Sequence, residues 1–209
     1  MARLRLGKQE LARLRRDLGL YRRILPSLDL KRRQLTLALA TARRELAAAR
    51  ERLAAIEGSV GADLPMIANA EIELGGLVVL DACELEEENV VGVRLPRLVR
   101  LHCSVAPYSL LAKPVWVDFL VDRLIEVAEQ RVRVQVADRR ARLLEKQERR
   151  TTQRVNLFER VLIPRAERDL RRIRVFLGDQ ERAAIARAKL AKKKQLAARA
   201  EAAGAEEVV

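Results

Sequence analysis

The chain has 209 residues, of which 34% are charged and 3% are aromatic, and its formal net charge is +13. So few aromatic side chains argue against the thick core of a globular domain of this length. No run of eighteen apolar residues occurs, so we expect no transmembrane helix, and the basic N-terminus lacks the apolar segment of a secretory signal. The sequence has no Gly-rich phosphate-binding loop and a single histidine, His102, so we expect no cofactor, no metal and no catalytic activity.

The N-terminal segment, residues 1–57, has the pattern of a coiled-coil helix. Between Leu11 and Ile56 two rows of mostly apolar residues repeat every seven positions, and one row follows the other by three. Arg32 is the polar exception in the first row. A strict seven-residue repeat drifts against the natural turn of an α-helix, so such a helix supercoils around a partner. Pro26 leaves the register of the pattern unchanged, which predicts a kink rather than a helix end.

The middle segment, residues 58–115, changes character. Glycine and proline residues end the first helix, and residues 66–74 are predicted to form a short helix. Three stretches favour strands: residues 77–80, 90–93 and 98–105. With a polar turn at Glu86–Asn89, they predict a β-element of two or three strands that rests on the helix ends. We expect Cys83 and Cys103 to be small buried residues of this element, not a disulfide.

A second long helix, residues 116–196, supplies the partner. The apolar rhythm of three and four resumes from Leu120 onward, and Pro164 interrupts it as Pro26 interrupts the first helix. Because both helices flank one short segment, antiparallel pairing within the chain is the simplest way to bury both seams, with parallel dimers as the alternative. If the two prolines face each other, the numbers of facing residues add up to about 190. Residues 197–209 are predicted to be a frayed tail.

The predicted fold is therefore mostly α, a long antiparallel two-helix coiled coil with a small central β-hairpin element. Residues 1–33 contain eleven Lys or Arg and three Asp or Glu, whereas residues 58–92 contain eight acidic residues and no Lys or Arg. Such a hairpin of helices has one basic and one acidic end, unless the charges are only a solvated helix surface. The candidate partner-binding residues at these ends are Arg182, Arg187, Lys189, Lys192, Lys193, Lys194, Glu86, Glu87 and Glu88.

Three motifs carry a resemblance to a known family. Arg149–Asn156 reads R-R-T-T-Q-R-V-N and is followed by V-L-I-P at 161–164. N-V-V-G-V-R-L-P occupies 89–96, and L-K-R-R-Q-L occupies 30–35. In this order they resemble the signature of the D subunit of V/A-type rotary ATPases, and together they cover most of the chain.

The resemblance implies a central rotor shaft without catalytic activity. In that family the paired helices insert their termini into a hexamer of A and B subunits, the β-element points to the socket subunit of the membrane ring, and the small F subunit binds the side of the shaft. Arg154 and Asn156 belong to the signature. With Val155 in the seam they fall at heptad positions g and b, where they are candidates for contacting another subunit. The resemblance also implies a cytoplasmic location peripheral to the membrane, without nucleic acid and without membrane insertion.

A prefoldin-like chaperone is the main alternative, since it also joins two coiled-coil helices through β-hairpins. Its chains are usually shorter and assemble into hexamers, so a monomer or a one-to-one complex with a small acidic partner would favour the shaft. A basic coiled coil that binds nucleic acid is a second alternative, and its affinity would fall steeply with salt. The gamma subunit of F-type ATPases has a larger middle domain than residues 58–115 allow.

Overall fold

The computed structural model describes residues 6–63, 75–108 and 114–206, with side chains over 6–60, 75–108 and 114–196. Along the chain, long helices precede and follow one β-hairpin, which confirms the predicted mostly α architecture. In chain order the elements are α1 (Lys8–Asp63), β1 (Val78–Val90), β2 (Val93–Val105), α2 (Trp116–Leu157), a π-helical turn (Phe158–Leu162) and α3 (Ile163–Glu206).

The chain divides into two units. The terminal unit contains Met1–Ser27 and Arg154–Val209, and the central unit contains Leu28–Gln153. Helix α2 begins at the predicted residue, whereas α1 continues six residues past its predicted end at residue 57. The short helix predicted over residues 66–74 lies outside the described residues, and the division into four segments stays a prediction.

The predicted seam of α1 is the least exposed face of the helix. Leu35, Leu39 and Ala42 are buried, and the other a and d positions from Leu11 to Ile56 are half-buried. Most of the residues between them are exposed. A stripe this narrow and this regular buries apolar surface against one other helix, as in a coiled coil.

Ion pairs between the helices establish an antiparallel arrangement in each unit. Among the residues with described side chains, the terminal unit contains one such pair and the central unit contains three. In each pair the residue numbers add up to 188 or 189, close to the predicted sum: Arg22–Glu167, Arg43–Glu145, Arg50–Asp138 and Glu57–Arg131. These sums confirm the predicted register to within one helical turn. The prediction was possible because the heptad pattern and the two prolines constrain which residues face each other.

Pro26 lies inside α1 without ending the helix, as the seam predicts. Next to it, the Ser27 hydroxyl donates a 2.8 Å hydrogen bond to the carbonyl oxygen of Ile24. Arg32, the polar residue of the seam, is half-buried, and its guanidinium pairs with the carboxylate of Asp29 on the same helix. A neighbouring carboxylate one turn away thus neutralises a charge at a seam position.

The π-helical turn Phe158–Leu162 lies two residues before Pro164. Its closing hydrogen bond runs from the N–H of Ile163 to a carbonyl five residues earlier. A π-turn holds one residue more than an α-turn, so the positions after it move by one residue along the seam. Leu170, which is fifteen residues after Val155 rather than fourteen, is consequently 4% exposed. A strict heptad count from the sequence misses this shift.

Strands β1 and β2 form an antiparallel two-stranded sheet. Their turn is Val91–Gly92, where both residues have positive φ angles of 54° and 76°, as in two-residue turns of type I′. The predicted turn at Glu86–Asn89 is therefore wrong, because these residues belong to β1. Acidic runs are typical of turns, but Glu86 lies opposite Arg97 on β2, and such cross-strand charge pairs stabilise strand pairing.

The hairpin packs along the helices rather than on their ends, which corrects the sequence prediction. Near the turn Leu95 is 1% exposed and lies in one apolar cluster with Leu35 of α1 and Leu144 of α2. Near the base of the hairpin, Leu77 packs with Val117 at the start of α2. The inner face of the hairpin is apolar at both ends, so the whole length of the sheet gains from lying on the helices.

The two cysteines are free thiols on opposite strands of the hairpin. Cys103 on β2 is half-buried, whereas Cys83 on β1 is exposed. The prediction of two small buried residues is therefore wrong for Cys83. The reason is that helices cover the sheet incompletely, and the β1 side borders an open groove.

Candidate partner-binding surfaces

The described part of the chain contains no group of three or more His, Cys, Asp or Glu side chains that could hold a metal ion. None of the helices in that part is long and apolar enough to cross a membrane. Within the described ranges two groups have raised pKa values. The hydroxyl of Tyr108 donates a hydrogen bond to the carboxylate of Asp118, and this bond raises the pKa of Tyr108. Burial, followed by the charges of Glu129 and Asp81, raises the pKa of Cys103. Both groups keep their protons at neutral pH, so neither is an activated nucleophile.

The C-terminal arm, residues 181–196 of α3, is the most exposed helical surface described. Every side chain in it is exposed, including the apolar Ile185, Leu190 and Leu196 at 57%, 61% and 56%. The six basic residues predicted as a partner site all lie on this arm: Arg182, Arg187, Lys189, Lys192, Lys193 and Lys194. Only Arg182 has a carboxylate neighbour among the described residues, Asp179 at 2.8 Å. The arm therefore presents cationic and apolar groups together.

The terminal unit carries a second basic surface that sequence reasoning did not single out. Arg15 and Arg174 line one groove between its helices, and Arg174 also lines the next groove together with Arg171. No described carboxylate pairs with any of these three guanidinium groups. The run from Arg165 to Arg174 contains five arginines, and this density of arginine is the feature of the sequence that indicates a basic surface here.

The signature residues Arg154 and Asn156 flank the buried Val155 in α2. Arg154 is exposed and Asn156 is half-buried. The same part of the helix exposes two apolar side chains that the sequence did not identify as a surface, Leu157 and Val161, at 46% and 47%. Leu157 is the last residue of α2, and Val161 lies in the π-turn that follows.

The acidic residues of the hairpin do not act as one cluster. Glu86 and Glu87 are exposed, and Glu87 lies 3.6 Å from Arg94 on β2. Glu88 is different, because its carboxylate accepts a 3.0 Å hydrogen bond from Arg140 of α2. Of the three predicted residues, Glu86 and Glu87 are thus exposed, whereas Glu88 holds the sheet on the helix.

A groove of about 600 Å³ lies in the central unit between the hairpin and α2. We call it the hairpin groove. Its apolar lining comes from Leu85 of β1 and from Val132, Val136 and Leu143 of α2. Arg139, Arg142 and Lys146 form its rim on α2. No sequence pattern indicates this groove, because its two walls are about fifty residues apart along the chain.

Comparison with known proteins identifies the family. A family model described as the D subunit of ATP synthase matches residues 10–193. The V-type ATP synthase D subunit of Chlamydia muridarum is 34% identical over 184 residues, which cover 85% of this chain and 87% of the relative. The Chlamydia felis protein of the same description is 33% identical over 195 residues, covering 91% and 89%. The Borreliella burgdorferi protein is 27% identical over 192 residues, covering 92% and 95%.

The chain belongs to the D-subunit family of V-type ATP synthases. This confirms the resemblance that the three motifs indicate. The family match includes the hairpin, the hairpin groove and the π-turn, and it ends at residue 193. Of the six basic residues on the C-terminal arm of this D-family chain, only Lys194 falls outside it.

Proposed function

We propose that this D-family chain is the central rotor shaft of a V-type ATP synthase. It transmits torque between the A/B hexamer and the ion-translocating membrane ring, and it has no catalytic activity of its own. The observation that carries the proposal is the antiparallel helix pairing inside each unit, whose register is marked by pairs such as Arg22–Glu167 and Arg43–Glu145. A knobs-into-holes seam resists sliding of one helix along the other, as torque transmission requires.

The C-terminal arm is the proposed contact with the A and B subunits. Its lysines and arginines are exposed and lie on long flexible stems, and most have no carboxylate partner among the described residues. Mobile charged side chains form contacts that exchange easily, which suits a shaft that turns between equivalent positions. The basic grooves at Arg171 and Arg174 extend this cationic surface within the terminal unit.

The surface around Arg154 and Asn156 is the proposed site for the F subunit. It combines a guanidinium and an amide with the exposed apolar side chains of Leu157 and Val161. Interfaces are typically built from an apolar centre with polar groups at its rim, and this surface has both. The hairpin end, with Glu86 and Glu87, is the proposed contact with the socket subunit. The chain would then be cytoplasmic and peripheral to the membrane.

Neutralising the C-terminal arm tests the rotor role. All six basic residues of the arm are replaced by glutamine, and the complex is reconstituted with A, B and F subunits. We expect ATP-driven rotation to slow or the complex to dissociate at physiological salt. The control is a matched replacement of six exposed central-unit arginines away from the hairpin turn: Arg33, Arg44, Arg52, Arg100, Arg133 and Arg150. Unaltered assembly and turnover in the arm variant would contradict the proposed contact.

Asn156→Ala tests the site proposed for the F subunit. Loss of an amide that bonds across an interface weakens binding by about five- to tenfold. Titration calorimetry with the purified F subunit measures this change, and Gln153→Ala, at an exposed position one turn earlier, is the control. Equal affinities for both variants would assign Asn156 to the ordinary helix surface. A chain that instead forms hexamers and suppresses aggregation of unfolded proteins would favour the chaperone.

A further inference from the structure

The hairpin groove is an apolar surface that the described part of the chain leaves uncovered. Leu85 is 52% exposed although it lies beside the half-buried Val132 and Val136. The lining runs along α2 from Val132 to Lys146, a distance of about 21 Å at the rise of an α-helix. A groove of this length accommodates about four turns of a second helix.

The charge at the rim indicates the nature of the occupant. Arg142 is neutralised by Asp138 at 2.6 Å. Arg139 and Lys146 are exposed, and no carboxylate in the described ranges pairs with either of them. They are seven residues apart on one face of α2, so their charges repeat after about 10.5 Å. Carboxylates at the same spacing on another helix would pair with both.

We propose that the hairpin groove binds an amphipathic acidic helix of another protein subunit. Its apolar residues, spaced three and four apart, pack on Leu85, Val136 and Leu143, and two acidic residues seven apart pair with Arg139 and Lys146. This proposal rests on the proposed function in one respect: the partner is sought among the other subunits of the same complex. The groove is distinct from the surface around Arg154 and Asn156.

A helix fits this groove better than an added strand. Among the described residues no third strand pairs with β1, which leaves its outer edge open. Glu84, Glu86 and Glu87 are exposed on this strand, and charged residues on an edge strand oppose pairing with a further strand. An acidic strand would suffer direct repulsion there, whereas a helix bound to α2 places its carboxylates on the basic rim.

Cys83 is a native probe of the groove, because this exposed thiol is part of the lining. In a Cys103→Ser background it is the only thiol. The chain is alkylated with a maleimide, once alone and once within the complex purified from native membranes through a tag on this chain. We expect alkylation of Cys83 to be at least tenfold slower in the complex. Equal rates would overturn the proposal.

A photo-reactive residue in place of Leu85 identifies the occupant by mass spectrometry of the cross-linked peptide. The control is the same residue in place of Leu80, which is 46% exposed on β1 and does not line the groove. We expect a peptide from another subunit with an apolar three–four pattern and two acidic residues seven apart, linked at Leu85 and not at Leu80. A peptide of this chain, a basic or strand-forming peptide, or no cross-link would overturn the proposal.

The charge pairing is tested with the double variant Arg139→Glu and Lys146→Glu. We expect the cross-link at Leu85 to fall at least tenfold, while the control Arg52→Glu and Arg150→Glu retains it. Unchanged circular dichroism shows that both variants fold. A complex that assembles without a cross-link at Leu85 refutes the groove and leaves the rotor role intact. A cross-link to an acidic helix of a protein outside any ATP synthase supports the groove and refutes the rotor role.

Discussion

Arg140 of α2 and Glu88 of β1 form a 3.0 Å ion pair that attaches the hairpin to the helix. The same Nη1 atom lies 3.1 Å from the carbonyl oxygen of Pro96 on β2, so one guanidinium contacts both strands. The side chain of Arg140 is only 20% exposed, which limits screening of the pair by water. Near this contact, Leu95 fills the apolar cluster between α1 and α2.

Arg140→Ala should loosen the hairpin without unfolding the helices. The change removes two hydrogen bonds made by a charged donor and leaves the partly buried Glu88 without its partner, which costs about 1–2 kcal/mol. Hydrogen exchange at the amides of β1 and β2 should accelerate, whereas exchange in α1 should not. Arg139→Ala, the neighbouring exposed arginine, is the control. Equal protection of the hairpin in both variants would show that Arg140 is dispensable.

Leu95→Ala should be among the most destabilising substitutions in the hairpin. Leu95 is 1% exposed, and truncation leaves a cavity against Leu35 and Leu144, which costs about 2–4 kcal/mol. Urea unfolding followed by circular dichroism measures the loss. Leu85→Ala, at a position 52% exposed on the partner strand, should change stability by about 0.5 kcal/mol or less. Similar losses in both variants would contradict the assigned packing.

Gly92→Ala and Gly19→Ala should have opposite effects on stability. Gly92 has a φ of +76°, and an added Cβ would lie 3.3 Å from the Nζ of Lys31, so alanine costs about 1–2 kcal/mol. Gly19 lies in α1 with nothing within 4 Å of an added Cβ, so alanine should stabilise the helix by about 0.5–1 kcal/mol. Thermal unfolding compares them. A Gly92→Ala chain as stable as the parent would argue against the positive-φ turn.

Deletion of Arg160 should convert the π-turn into regular α-helix with little loss of stability. The deletion removes one residue from Phe158–Leu162 and brings Leu170 to a strict heptad distance from Val155. Deletion of Arg142 is the control, because no π-turn absorbs it and every later seam position rotates by about 100°. Circular dichroism and thermal melting distinguish them. If both deletions destabilise equally, the π-turn does not compensate an extra residue.

The two thiols should differ in their reactivity toward a maleimide. The raised pKa of Cys103, caused mainly by burial and then by Glu129 and Asp81, lowers its thiolate fraction near pH 8. Cys83 is exposed and should be alkylated first. Because the pKa of Cys103 lies above its ordinary value of 9.0, its rate should still be rising with pH beyond that value. Peptide mapping after timed alkylation tests this order, and faster labelling of Cys103 would contradict it.

The seam and the pairing of the helices follow from the sequence, because heptad spacing is a local property. Every apolar residue in the a and d rows places its side chain on the same face of the helix. The spacing predicted the half-buried or buried positions from Leu11 to Ile56, and Pro26 and Pro164 predicted the register to within one turn. The three motifs predicted the family. Membership of the family was therefore accessible from the sequence alone.

The hairpin and its groove depended on tertiary structure. The sequence predicts a turn at Glu86 to Glu88, because an acidic run has no visible partner along the chain. In the structure these residues pair with β2, with Glu86 opposite Arg97 and Glu88 bound to Arg140. The turn at Val91 and Gly92 and the π-turn each displace a local pattern by a few residues. Such displacements depend on which side chains from distant parts of the chain pack against each other. The packing energy of a side chain is set by its neighbours in space rather than by its neighbours along the chain.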